Sequence, residues 1–135
     1  MATALVWFKR DLRVHDHAPL AAAAQHRRAF ALYLIEPAWL ASPEFDPQHL
    51  DFALGCLAEL RANLAARGLP LTVRVGEARA VFDALAAETG FDTLLSHEET
   101  GPGWTYARDL AVADWCRARS VGVRSSSRWS AAWAR

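Results

Sequence analysis

Val6-Trp7-Phe8-Lys9-Arg10-Asp11-Leu12-Arg13-Val14-His15-Asp16-His17-Ala18-Pro19-Leu20 is the stretch on which the fold turns. It continues an apolar run that starts at Ala4 and ends at Phe8, the composition of a strand buried on both faces. Charged and polar residues then crowd the positions from Lys9 to His17, and Pro19 opens an alanine-rich helix. A buried strand that ends in a cluster of charges before a helix marks the place where open α/β sheets hold their ligands.

Working outward, the rest of the chain repeats the strand-then-helix pattern. Ala29 to Ile35 is a second near-continuous apolar strand, closed by Glu36-Pro37. Asp46 is placed to cap a helix with Pro47 at its first position; Leu50, Leu54, Leu57 and Leu64 are read as its inner face, and Gly68 as its stop. Leu71-Thr72-Val73-Arg74-Val75 alternates strictly, as an edge strand with one wetter face does. Glu77 to Thr89 reads as a helix with Val81, Phe82 and Leu85 inward and Gly90 as its stop, followed by a strand over Phe91–Ser96. Trp104 to Arg119 is the last helix, and Val121-Gly122-Val123 starts a fifth strand. The pattern predicts an α/β fold, a Rossmann-like doubly wound parallel sheet of about five strands ordered 3-2-1-4-5, with helices on both faces. The order reverses between strands one and four, so the ligand crevice is expected between the loops Lys9–His17 and His97–Gly103.

Composition bounds what such a domain can do. The 135 residues fit one domain, and 53% hydrophobic residues supply a full core. Fifteen basic and fifteen acidic residues cancel, which argues against strong nucleic-acid binding by this chain alone, because an autonomous binder shows a basic stripe. No apolar run approaches the about 20 residues of a membrane helix. Met1-Ala2-Thr3-Ala4 lacks a basic signal-peptide start, so a cytoplasmic protein without membrane partners is expected. Cys56 and Cys116 lack metal-type spacing and read as buried free thiols.

Two loops carry the chemistry. The first has two competing readings. In the structural one, Arg13 and Asp16 pair to lock the loop and Asp16 caps the helix. In the functional one, Lys9, Arg10 and Asp11 face the crevice and contact a planar ligand. The second runs His97-Glu98-Glu99-Thr100-Gly101-Pro102-Gly103-Trp104. Adjacent Glu98 and Glu99 read first as a solvated loop, and His97 beside them lacks the second spaced ligand of a metal site. Gly-Pro-Gly before Trp104 permits a tight turn that leaves a large ring at a helix start, where a planar ligand could stack or the ring could simply cover the sheet. Glu36, closing the strand beside strand one, is the third contributor. No glycine-rich phosphate loop follows strand one and no nucleophile elbow is present, so neither catalytic nor metal-ligating residues are assigned.

The opening stretch resembles the "W-F-R-x-D-L-R-x-x-D-N-x-A-L" motif of the DNA photolyase/cryptochrome family, with Lys9 for the usual Arg and His17 for the usual Asn. Ser96 to Asp109 resembles "S-H-E-E-T-G-x-x-W-T-x-x-R-D" of a bacterial photolyase-like branch. The resemblance implies the family's amino-terminal α/β domain over residues 1–123. It also implies a pocket for a light-harvesting antenna chromophore, bordered by Lys9, Arg10, Asp11, Glu36, Glu98, Glu99 and Trp104. Better-known folate-binding members carry Asn-Glu where this chain has Trp104-Thr105. The expected antenna therefore shifts from folate toward a flavin-like or deazaflavin-like group, or none. The family's catalytic FAD and its contacts with damaged DNA belong to a larger helical domain and are not expected in this chain. A stand-alone nucleotide- or flavin-binding module and a ligand-free structural remnant stay open beside the antenna reading.

Residues 124–135 fit neither a strand nor a tidy helix and carry Trp129 and Trp133 on a polar tail. The related branch continues with V-V-R-R-L. Back-translating Arg128 to Trp133 with GC-rich codons and reading from the third base yields that string. The expectation is a frame-shifted, early end that leaves the flavin domain missing, Trp129 or Trp133 exposed or taken up in self-association, and apolar area uncovered.

Overall fold

The computed structural model describes residues 3–9, 12, 17–97 and 103–126, the last three by their backbone alone. Strand β1 (Thr3–Phe8) is buried at all six positions, as its unbroken apolar run demands. It is followed by α1 (Ala18–Ala23), β2 (Arg28–Ile35), α2 (Pro37–Leu40) and α3 (Pro47–Ala65). Then come β3 (Leu71–Val75), α4 (Ala78–Thr89), β4 (Thr93–His97), α5 (Gly103–Ala118) and β5 (Gly122–Ser126). The five strands form one sheet in the order β3-β2-β1-β4-β5, with every neighbouring pair parallel. This is the Rossmann-like order predicted, with β1 central and β3 at an edge. Among the described residues no helix is long and apolar enough to cross a membrane.

Strand alternation feeds two separate cores. Ala4, Val6 and Phe8 point with Ala31, Tyr33 and Ile35 toward Leu20 of α1 and Leu57, Leu60 and Leu64 of α3. Leu5 and Trp7 point with Leu32 and Leu34 toward Val81, Phe82 and Leu85 of α4 and Val112, Trp115 and Cys116 of α5. The second core is aromatic: Phe82 meets Trp7 edge-on at 5.1 Å and Trp115 at 5.7 Å.

Helix ends follow local chemistry, with corrections. Asp46 accepts from Gln48 N at the start of α3, where Pro47 stands ready, and Gly90 ends α4 in the left-handed conformation at φ 66°. The cap of α1 is His17, not the expected Asp16: its Nδ1 accepts from Leu20 N at 3.1 Å. Asp16 and Arg13 lie outside the described residues. Helix α3 ends at Ala65, with Gly68 reversing the chain just beyond at φ 75°. Leu54 is 45% exposed rather than on the inner face, because Ala53, Leu57, Leu60 and Leu64 centre the buried stripe elsewhere. The fourth strand covers Thr93–His97, two residues later than its expected start. The fifth continues to Ser126 beside His97, so residues 124–126 are strand. Trp129 and Trp133 lie outside the described residues.

Candidate functional site

A cleft of about 730 Å³ opens at the carboxyl ends of β1 and β2. Trp7, Phe8 and Lys9 come to it from the end of β1, and Tyr33, Leu34 and Glu36 from the end of β2. Pro37 stops β2 and starts the single-turn α2, which carries Trp39 to the rim. Trp39 is held there by Phe45, edge-on at 5.2 Å, and by Ser42, whose hydroxyl donates to the Trp39 carbonyl at 2.7 Å. The first turns of α3 add His49, Phe52 and Cys56, and the first turns of α5 add Trp104 and Arg108.

Among the described residues four charges tie these elements together. Arg108 Nη1 donates to Glu36 Oε1 at 2.7 Å, and its Nε and Nη2 donate to Asp109 Oδ1 at 3.0 and 2.9 Å. Lys9 Nζ reaches the same carboxylate at 3.4 and 3.5 Å. The side chains of Lys9, Arg108 and Glu36 are 6%, 9% and 10% exposed. Ionised groups leave water at this depth only when paired, so the network is what makes their burial tolerable. Both cations also stack on Trp7, Lys9 Nζ at 4.5 Å and the Arg108 guanidinium at 4.8 Å from the ring centroid. Arg108 further lies 5.6 Å from the Trp104 ring. Trp104 Nε1 is buried and has no hydrogen-bond partner among the described residues, a costly state for a donor.

Among the described residues the cleft is lined from the ends of β1 and β2, from α2 and from the first turns of α3 and α5. The β1–β4 end is filled by rings: His17 packs against Phe8 at 4.7 Å and against His97 at 4.5 Å. Of the expected site residues, Lys9, Glu36 and Trp104 line the cleft together. Arg10, Asp11, Glu98 and Glu99 lie outside the described residues.

Sequence reading missed Arg108, Trp7 and Trp39 as cleft residues. Arg108 had a signal, because it stands one helical turn after Trp104 and so shares its face. Among the described residues no group of three or more metal-ligating side chains occurs. The thiols also separate: Cys56 is half-buried on the cleft, against the expectation of a buried core thiol, while Cys116 is buried as expected. Burial pushes the Cys116 thiol up to about 11.

Comparison with known proteins extends these observations. The family model described as DNA photolyase matches residues 4–131. A cryptochrome DASH from Gloeobacter violaceus is 36% identical over 118 residues, 82% of this chain and 24% of that protein. A bacterial class III photolyase from Agrobacterium tumefaciens superimposes with a TM-score of 0.82 at 31% identity, over 94% of this chain and 26% of that one. An archaeal photolyase from Sulfolobus tokodaii shares the fold, with a TM-score of 0.78 at 22% identity over 93% of this chain and 29% of that one. The chain thus spans about a quarter of the length of the relatives it matches.

Proposed function

The chain belongs to the DNA photolyase family, and from that premise we propose that its cleft holds a planar light-absorbing chromophore that serves as an antenna. The observation that carries this reading is the cleft itself, walled by Trp7, Trp39 and Trp104 at the carboxyl edge of a doubly wound sheet. Its volume of about 730 Å³ suits a fused-ring ligand, falling within the few hundred to ~1,000 Å³ of small-molecule pockets. The group, when bound, supplies absorption at wavelengths that indoles lack.

The protein's part is to bind and orient. The rings of Trp39 and Trp104 grip the apolar body, the rim residue Phe52 sheds water, and Lys9, Glu36 and Arg108 set the polar edge. The buried Trp104 N–H supports the same reading, since a donor without a partner is ready for an acceptor oxygen. Arg10, Asp11, Glu98 and Glu99 complete the proposed set from the flanking segments.

A flavin-like or deazaflavin-like group is favoured over folate, Trp104-Thr105 standing where folate binders carry Asn-Glu. The Sulfolobus tokodaii photolyase, a fold neighbour, is described with two FAD molecules and the implication of a novel light-harvesting cofactor. In this reading light-driven action on damaged DNA belongs to full-length relatives, and no catalytic FAD is assigned to these residues.

The test is an absorption spectrum of the purified protein, followed by equilibrium dialysis against riboflavin, a 5-deazaflavin, a methenyl folate and adenosine monophosphate. Binding of an isoalloxazine or deazaflavin is expected, weakened about tenfold by Trp104→Ala through lost stacking. Retention of adenosine monophosphate alone would instead identify a nucleotide module. A folded protein that retains none of the probes would be a remnant without a ligand.

A further inference from the structure

The three indoles of the cleft differ in their electrostatic surroundings. Trp7 carries Lys9 Nζ at 4.5 Å and the Arg108 guanidinium at 4.8 Å from its ring centroid. Trp104 carries the same guanidinium at 5.6 Å. Trp39 rests edge-on against Phe45 at 5.2 Å, and among the described residues no cation lies over its ring.

That difference matters for light. An indole in contact with an excited planar ligand can give up one electron. The ligand is then reduced by one electron, the indole becomes a radical cation, and return of the electron ends the cycle as heat. Each such cycle discards the excitation that an antenna must pass on. The step places positive charge on the ring, and two cations stacked on that ring oppose it. Screening is weak, because the Lys9 and Arg108 side chains are 6% and 9% exposed. Among the described residues Glu36 and Asp109 pair with the cluster, but the two charges stacked on Trp7 are both positive.

We propose that Lys9 and Arg108 form an electrostatic guard that holds Trp7 against photo-oxidation by the ligand of the cleft, leaving Trp39 as the indole from which electron transfer proceeds. The inference rests on the antenna reading, since a guard has a use only where light is absorbed in the cleft.

Cys56 permits a test that needs no natural ligand. It lines the cleft, whereas Cys116 is fully buried with its thiol pushed up to about 11. Monobromobimane, a small planar fluorophore that indoles quench by electron transfer, therefore marks Cys56 in the folded protein. Trp39→Phe is expected to lengthen the label's fluorescence lifetime, and Trp7→Phe to leave it unchanged. Lys9→Met is expected to shorten it by about twofold or more as the opposing charge is lost. Adding Trp7→Phe to Lys9→Met should restore it, and Lys9→Arg should match the unaltered protein.

A lifetime lengthened by Trp7→Phe alone overturns the guard. So does a Lys9→Met protein with unchanged lifetime, or one whose shortening survives Trp7→Phe. A lifetime insensitive to Trp39→Phe removes Trp39 as the donor. Should Lys9→Met fail to fold, the two conservative Trp→Phe variants decide alone. The label reports on the indoles whether or not a chromophore binds, so this failure and failure of the dialysis are separate results.

Discussion

Arg108 concentrates the energetics of the cleft in one side chain. It binds Glu36 at 2.7 Å and Asp109 at 2.9 Å, and it stacks on Trp7 and Trp104. Arg108→Ala takes a charged partner from Glu36, whose side chain is 10% exposed. Urea unfolding should therefore show a loss of about 3–5 kcal/mol, and Arg108→Met with Glu36→Leu should recover most of it. His17 is a second decisive residue, serving as both cap and stacking ring. His17→Ala should cost about 1–2 kcal/mol, whereas His17→Asn keeps a capping side chain and should lose less. Lys9 and Glu36 could be read as site residues from sequence because strand ends and their neighbours are marked by composition. Arg108 could be placed on the face of Trp104, but not its ion pair, because Glu36 is 72 residues away in the chain.

The thiols test the same scale by labelling. Cys56 should react with a disulfide reagent in the native protein and Cys116 only after unfolding. The sign of the Cys116 shift also makes a stability statement. Its folded-state pKa is raised, so the contribution is complete below the unfolded value near 9 and is lost as pH rises toward about 11. Urea midpoints measured through that window should fall, and the fall should shrink in Cys116→Ala compared with its own midpoint at neutral pH.

Elements were the most legible level, for physical reasons that differ along the chain. A strand as apolar as β1 has no other way to bury both faces, and Leu71–Val75 could be placed at an edge from its alternation. Gly90 was readable as a stop because its left-handed backbone suits glycine. Gly90→Ala should accordingly lower stability by about 1 kcal/mol, measurable as a shift in thermal midpoint. Two features escaped. The single turn of α2 is too short to leave a periodic pattern, yet it brings Trp39 to the cleft. The ring stack of Phe8, His17 and His97 depends on partners from three different segments, so nothing local announced that the β1–β4 end was filled.

At the scale of the whole molecule, apolar surface is left in the open. Phe52 is 75% exposed at the cleft rim, while Tyr106 and Leu110 are 68% and 52% exposed one turn apart on α5. Self-association is the expected consequence at high concentration. Light scattering coupled to size exclusion should show mass rising with concentration, and Tyr106→Ser with Leu110→Gln should flatten that rise. A single mass across the concentration series would remove the idea.

The pairing of Lys9 with Asp109 joins residues separated by 100 positions. Synthesis runs from the amino terminus, so Lys9 leaves the ribosome long before either Asp109 or Arg108 exists. Closing so long a loop is also slow for a chain folding on its own. For that interval the floor contributed by β1 and β2 has Lys9 but neither Asp109 nor Arg108. The cleft gains Arg108 and Asp109 only once α5 is made, and any ligand that needs Arg108 must wait for it.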